Sequence, residues 1–302
     1  MQVTGCDDGW VAGQHVRLQV FFSDGMFEAH PFTILSAPQT QSCFLSSGMT
    51  LAARVNGDWT QALNSYAREE QDRLQSSEKE VDERGVPVHV MIDGPYGGSS
   101  IDLGQYETAL LIAGGSGATF TLGLLDDIVS RCIKFGRRNE ERTRRIEFVW
   151  CIKSFGMPHR TMMQSFVDMS PCFAITGHLL WFSSMLSDIA NVAAQSTLDL
   201  HISIFVTCLC DPDAVPVIQN CDVKLERPSV YSLLCEATTT SRGSSLESAK
   251  GNISSVYGGG VAVCVSGPEG LTRETQNAVA RLGVAKAMEL GGISVHVENF
   301  SL

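Results

Sequence analysis

Apolar and polar residues partly alternate over residues 11–22, VAGQHVRLQVFF, which predicts a strand with one buried face. A polar turn at 23–25 closes it, and HPFTILSA at 30–37 and residues 49–55 read as further short strands. Residues 67–85 are crowded with Glu, Asp, Arg and Ser and predict an exposed acidic loop or a surface helix. A strand over 86–92 then runs into DGPYGG at 93–98, a strong turn signal. Short strands separated by glycine turns predict a small antiparallel barrel for the first third of the chain.

From residue 109 the pattern changes. ALLIA at 109–113 is a continuous apolar run, as in a strand buried on both faces. GGSG follows, then helical spacing over 120–135 and a charged linker at 136–145. IEFVWCI at 146–152, residues 198–206, 261–265 and 293–297 predict further strands. Residues 165–194 carry helical spacing broken at Ser170–Pro171, and SGPEGLTRETQNAVARLG from 266 turns into a helix. Residues 238–260, rich in Ser, Thr and Gly without a hydrophobic pattern, predict a mobile loop. Strands alternating with helices predict a doubly wound parallel sheet. The change of pattern puts a domain boundary near residue 106.

Composition narrows the function. The chain has 302 residues, enough for two domains, and a formal net charge of −11 from 22 Lys+Arg and 33 Asp+Glu. That balance argues against nucleic acid as a partner, because phosphate binding needs clustered cations. Ten cysteines lack CxxC spacing, the nearest pair being Cys208 and Cys210. They read as reduced, mostly buried thiols, and no zinc-ligand spacing is present. The first ten residues lack the basic and apolar regions of a signal peptide. The least charged long stretch, 169–187, contains His178 and several Ser and reads as a loop and buried helix rather than a span. By itself the chain reads as soluble and cytoplasmic.

Four motifs bear on chemistry. Gly114, Gly115, Ser116 and Gly117 leave a buried strand and open a helix, where close backbone approach and free N–H groups suit a diphosphate. Phe120 stands where a third glycine is usual, and a turn that only packs helix on strand has the same look. At the end of the next strand stands Lys153 where an NAD site would place an acid, which favours a 2′-phosphate; a solvated lysine is the other reading. His30, Pro31, Phe32 and Thr33 offer an apolar strand and a hydroxyl to a flat redox ring, with Gly94, Pro95, Tyr96 and Gly97 some sixty residues later. A histidine before proline also serves as a structural cap. Ser266, Gly267 and Pro268 leave another buried strand, either as a ligand floor or as a plain turn.

In order, GQH at 13–15, HPFT at 30–33, GDWT at 57–60, DGPYGG at 93–98, AGGSG at 113–117, FVWCIK at 148–153, ERP at 226–228, SGP at 266–268 and HVENF at 296–300 resemble the flavin- and NADPH-binding half of the fungal ferric reductases, relatives of the NADPH oxidases in the ferredoxin-reductase-like group. The resemblance spans nearly the whole chain. It implies an FAD-binding β-barrel domain over residues 1–106, truncated at its start, and a ferric reductase NAD(P)-binding domain over 107–302. His30, Pro31, Phe32 and Thr33 become flavin contacts, with Arg54 and Thr60 on the strand and turn that continue the flavin domain. Gly94, Tyr96 and Gly97 fall at the cofactor junction. Gly114 to Gly117 cradle the NADPH diphosphate, Lys153 and Arg227 read the 2′-phosphate, and Gly267 and Pro268 lie against the nicotinamide. Glu298 and Phe300 approach the flavin, and Thr33, Ser266 and Phe300 form the hydride-transfer neighbourhood. The implied reaction is hydride transfer from NADPH to FAD, then single electrons to ferric chelates through a haem-bearing membrane domain. No metal site is expected in this chain.

Ser266 replaces the cysteine of the family's CGP, Glu226 the glycine of its GRP, and Leu302 its terminal aromatic. The resemblance also implies that the chain starts inside the barrel, without the haem-bearing helices. A gene fragment, a truncated paralogue and the soluble half of a split protein all fit that start. The dehydrogenase half of a superoxide-producing oxidase and a non-catalytic remnant are the alternative functions. In its relatives the module lies on the cytosolic face of a membrane.

Overall fold

The structure is a computed structural model that describes residues 1–22, 27–43, 48–76, 85–134, 141–152, 173–207, 218–245 and 258–299, without the side chains of 173–181 and 240–245. The first part comprises β1 (Gln2–Val3), β2 (Gln14–Val20), β3 (Ala29–Thr33), β4 (Met49–Thr50), α1 (Asp58–Ser76) and β5 (Val90–Gly97). β2 lies antiparallel between β3 and β5, and β1 pairs with β4. Alternation along β2 turns Val16, Leu18 and Val20 inward. There they pack with Trp10, Phe22, Ile34, Met49, Leu51 and Trp59.

Three local expectations are corrected here. The strand expected over 49–55 pairs only through Met49–Thr50 and a bridge from Ile34 to Leu51. GDWT is a helix start and not a strand and turn. The Thr60 hydroxyl accepts the N–H groups of Asn56 and Gly57, both at 3.0 Å, and donates to the Gly57 carbonyl at 2.9 Å. The helix takes in residues 67–76, while 77–84 lie outside the described residues. DGPYG, expected as a turn, belongs to β5. Tyr96 pairs with His15 and Asp93 with Arg17, so one extra residue is absorbed as a bulge.

The second part comprises β6 (Thr108–Gly114), α2 (Ala118–Lys134), β7 (Arg145–Ile152), α3 (Phe173–Ala194), β8 (Asp199–Val206), β9 (Cys221–Lys224), α4 (Val230–Ser245), β10 (Val261–Ser266), α5 (Glu269–Glu289) and β11 (Ile293–Glu298). The six strands are parallel in the order β11-β10-β6-β7-β8-β9. β6 and β10 are buried at every position. Leu111, Phe148, Trp150 and Ile202 face α2 and α3, while Leu110, Ile112, Val149 and Phe205 face α4 and α5. Residues 238–245, expected as loop, continue α4. Val230, Leu234 and Ala237 recur at helical spacing and are buried, and that apolar stripe carries the helix into the Ser/Thr-rich stretch. Residues 246–257 lie outside the described residues. Of the seven described cysteines, all free, only Cys264 is buried and six are half-buried, which corrects the expectation of mostly buried thiols. Among the described residues no helix is long and apolar enough to cross a membrane.

Helix α2 fastens the two parts together. A side chain at Gly123 would press on the carbonyls of Ile34 and Leu35, so the segment after β3 lies directly on the helix. The buried Asp126 carboxylate accepts the N–H groups of Ala37 at 2.9 Å and Cys43 at 2.7 Å. Burial pushes the pKa of Asp126 up, and these N–H groups pull it back. Lys134 Nζ donates to the Ser42 carbonyl at 2.6 Å. Asp126→Ala orphans two backbone donors and is expected to lower stability by about 1–3 kcal/mol in urea unfolding; Asp126→Asn, which retains an acceptor, loses less.

On the α4/α5 face a charged row crosses β7, β8 and β9. His201 Nδ1 lies 3.1 Å from Glu147 Oε2, and its Nε2 lies 3.2 Å from Asp222 Oδ2. The hydrogen bond to Glu147, opposed by burial and aided by both carboxylate charges, raises the His201 pKa above 6.5. The folded state therefore holds this proton more tightly than the unfolded chain. Its stabilisation is complete below pH 6.5 and fades as pH rises through the higher folded value. The stability lost in His201→Gln is expected to be larger at about pH 5.5 than at about pH 8.5, measured by denaturation at both.

Candidate functional site

The turn between β6 and α2 is a single 3-10 turn, Gly115–Gly117, that merges into the helix at Ala118. Gly115 has φ +56°, a left-handed conformation that glycine adopts without strain, and open space surrounds the position of its missing side chain. The Trp150 indole N–H donates to its carbonyl at 3.0 Å and pins the turn. A Cβ at Gly117 would strike the Ser266 carbonyl, one at Gly114 would lie 2.7 Å from Pro268 Cδ, and one at Gly267 would lie 2.8 Å from Gly114 Cα. Because β6 and β10 are neighbours in the sheet, AGGSG and SGP form one continuous floor at the carboxyl ends of the strands. Two helices, α2 and α5, start from that floor. Their first N–H groups have no partner within the helix and carry partial positive charge, so the floor fits an anionic diphosphate.

Arg227 is 75% exposed, with Nη2 3.7 Å from Glu274 Oε2 of α5. Both groups act on Cys151, which lies in register beside Gly114. Burial first, and Glu274 second, push the Cys151 thiol up to about 12, against the pull of Arg227. Arg227 therefore stands near the strand next to the glycine floor, partly neutralised by its carboxylate partner. Lys153, which follows the last residue of β7, lies outside the described residues, as do Phe300 and Leu302.

The antiparallel part brings three motifs into one row. His15 of GQH pairs with Thr33 of HPFT on one side and with Tyr96 of GPYG on the other. The His15 and Tyr96 rings are 6.0 Å apart. One step along, Arg17 sits between Pro31 and Asp93. This face presents a ring, a hydroxyl and an exposed guanidinium, a set that fits a flat ring with a diphosphate tail. The Tyr96 hydroxyl donates to Asp93 Oδ1 at 2.6 Å, and that bond raises its pKa. Gly97 pairs with Gln14, whose amide donates to the Gly97 carbonyl at 3.3 Å, and Gly94 falls in the bulge.

Phe32 and Thr33, expected to serve one ring together, point to opposite faces of β3. His30 and Phe32 face inward, with ring centroids 4.3 Å and 5.9 Å from that of Trp59. His30 Nε2 also lies 3.0 Å from Glu28 Oε2. His15, Arg17 and Trp59 were not singled out from sequence. The alternation that buries Val16 and Leu18 also turns His15 and Arg17 outward, and that signal was available.

The two parts meet at Phe120 of α2. A Cβ at Gly13 would lie 2.8 Å from Phe120 Cε2, and the same ring stacks on His296 of β11 at 5.3 Å and 17°. Ser266, fully buried, lies in register with Glu298, and its hydroxyl has no hydrogen-bond partner.

An antiparallel sheet followed by a parallel sheet with glycine floors, together with the family matches that follow, places the chain in the class of flavin- and NAD(P)-binding oxidoreductases. Residues 5–100 match the FAD-binding domain family, and residues 106–280 match the ferric reductase NAD binding domain family. The chain belongs to this ferric reductase NAD-binding family. It is 30% identical over 176 residues to the ferric/cupric reductase transmembrane component 2 of Schizosaccharomyces pombe, covering 49% of this chain and 30% of that protein. It is 26% identical over 189 residues to the respiratory burst oxidase homolog protein D of Solanum tuberosum, covering 58% and 19%. It is 27% identical over 301 residues to the dual oxidase of Drosophila melanogaster, covering 96% and 16%. The chain thus spans less than a third of each of these relatives. A ferredoxin NADP+ reductase from Neisseria gonorrhoeae, solved with FAD and NADP, aligns with 96% of this chain and 87% of its own at 13% identity and a TM-score of 0.45.

Gly117→Ala is expected to force the β6 and β10 turns apart and cost about 1–3 kcal/mol in chemical unfolding. Gly115→Ala, which meets no atoms but requires a left-handed residue, is expected to cost about 1 kcal/mol.

Proposed function

We propose that the chain is the dehydrogenase module of a ferric-chelate reductase, passing reducing equivalents from NADPH through FAD toward ferric iron. The observation that carries this reading is the continuous floor of Gly114–Gly117 and Gly267–Pro268, joined through Phe120 to the strand that bears His15. Bound FAD would supply a hydride acceptor able to give up its two electrons singly. The chain's own residues bind and orient. The N–H groups at Gly115 and Ser116 take the NADPH diphosphate, and Lys153 and Arg227 take the 2′-phosphate. Gly267 and Pro268 let the nicotinamide lie close to backbone. Thr33, His15 and Tyr96 hold the flavin ring, Pro31 and Arg17 extend that face toward its diphosphate, and Gly94 and Gly97 shape the strand beside it. His30 and Phe32, against Trp59, brace the strand from behind. Thr33, Ser266 and Phe300 surround the site of hydride transfer. Orientation is the main contribution, since hydride transfer itself needs no acid or base.

In this reading residue 106 separates the FAD-binding from the NAD(P)-binding domain. A haem-bearing membrane partner carries electrons onward, and the module sits at the cytosolic face of a membrane. A second reading, the dehydrogenase half of a superoxide-producing oxidase, is favoured by the dual oxidase match over 96% of the chain. The terminal electron acceptor distinguishes the two.

The test is purification with added FAD. Bound yellow flavin that NADPH bleaches in the absence of oxygen supports the dehydrogenase, and ferricyanide should restore the colour. A colourless protein inert to NADPH overturns it in favour of a non-catalytic remnant. Lys153→Ala is expected to raise KM for NADPH by about tenfold or more while leaving KM for NADH nearly unchanged, the cost of losing a charge-assisted contact to phosphate; equal effects on both exclude the 2′-phosphate role.

A further inference from the structure

Two buried side-chain atoms without a hydrogen-bond partner, Ser266 Oγ and His296 Nε2, lie on neighbouring strands. Register pairs Cys264 with His296 and Ser266 with Glu298, so all four side chains share the face that packs on α2. His296 is one-tenth exposed and stacks on Phe120. Its Nδ1 lies 3.1 Å from the backbone nitrogen of Ser100 and 2.9 Å from the Ser100 hydroxyl. Ser100 belongs to the connector between β5 and β6.

A backbone N–H can only donate, so Nδ1 must accept. The neutral ring then carries its proton on Nε2, which lies 3.4 Å from Glu298 Oε2 without forming a hydrogen bond to it. The connector thereby fixes the tautomer, and the tautomer decides what Glu298 meets. This arrangement lies at the carboxyl ends of β10 and β11, beside the floor made by Gly267 and Gly114.

We propose that His296 is a positioning residue that ties the connector to the hydride-transfer site, accepting from Ser100 with Nδ1 and steering the Glu298 carboxylate with Nε2–H. The proposal rests on the dehydrogenase reading for the identity of that site. No bond is made or broken at His296, and its proton stays on Nε2.

The two halves of the role separate by substitution. His296→Asn keeps an acceptor where Nδ1 stands, and His296→Gln keeps a donor where Nε2 stands. In the apoprotein, nitrogen-15 spectra are expected to show the Nε2–H tautomer for His296. Exchange of the Ser100 amide is expected to stay slow in the Asn variant and to rise about tenfold in the Gln variant. In FAD-loaded protein the order reverses. Rapid-mixing bleaching of flavin by NADPH slows about tenfold in the Asn variant with unchanged dependence on NADPH concentration, and stays nearer the parent rate in the Gln variant. An Nδ1–H tautomer, equal Ser100 exchange in all three proteins, or bleaching rates that fall alike in both variants would overturn the proposal. A parent protein that takes up no FAD overturns the dehydrogenase reading and with it the hydride-site role. The tautomer and exchange results then show whether the cofactor or the tether was at fault.

Discussion

The packing of residues 34–43 onto α2 is the constraint on which the rest depends. Backbone carbonyls of Ile34 and Leu35 lie against Gly123, and Asp126 holds two N–H groups of the segment that follows. A buried carboxylate is costly unless its lone pairs are used, and here backbone donors use them at short distance. The same helix begins at the glycine floor and carries Phe120 in its first turn. The antiparallel face and the parallel floor are therefore positioned by one rigid rod, and their spacing is set by the number of residues between Gly117 and Asp126 rather than by a loose linker.

The floor itself follows from strand order. Parallel pairing places β10 directly beside β6, so the turns leaving both strands must pass each other at the same level. Side chains at Gly114, Gly117 or Gly267 would collide with the neighbouring turn. These glycines are thus needed by packing whether or not a ligand lies over them, and sequence alone leaves both readings open. The geometry shows that they are compatible: the crowded glycines face the other turn, while Gly115 and Ser116 face outward.

Legibility followed the source of each element's stability. The central strands β6, β7 and β10 announce themselves as continuous apolar runs, because burial on both faces demands it. Strand β9, CDVK, is half polar and becomes a strand only through pairing with β8, so no local signal marks it. DGPYG carries turn residues, yet the ladder with β2 holds it extended around a bulge. The start of α1 at GDWT depends on one threonine hydroxyl capping two N–H groups. In the candidate site, the glycine turns and the three barrel motifs were visible as strings, but their grouping was not. The row Thr33–His15–Tyr96 joins residues far apart in sequence and requires the register. The opposite facing of Phe32 and Thr33 follows from strand alternation and could have been read at once.

Net charge poses the sharpest physical question for the proposed reading. A chain at −11 repels the polyanions that FAD and NADPH are, so long-range attraction cannot gather them. Two described cations near the candidate sites are also tempered: Arg227 has Glu274 at 3.7 Å, and Arg17 lies across from Asp93. Affinity for the diphosphates in that reading comes chiefly from short-range donors, the backbone N–H groups where α2 and α5 begin, whose partial charges are fixed by the fold, with Lys153 and Arg227 adding the contact to the 2′-phosphate. Such donors act only within hydrogen-bond distance, so in that reading diphosphate binding depends more on the shape of the glycine floor than on salt, whereas the 2′-phosphate contact is screened by it.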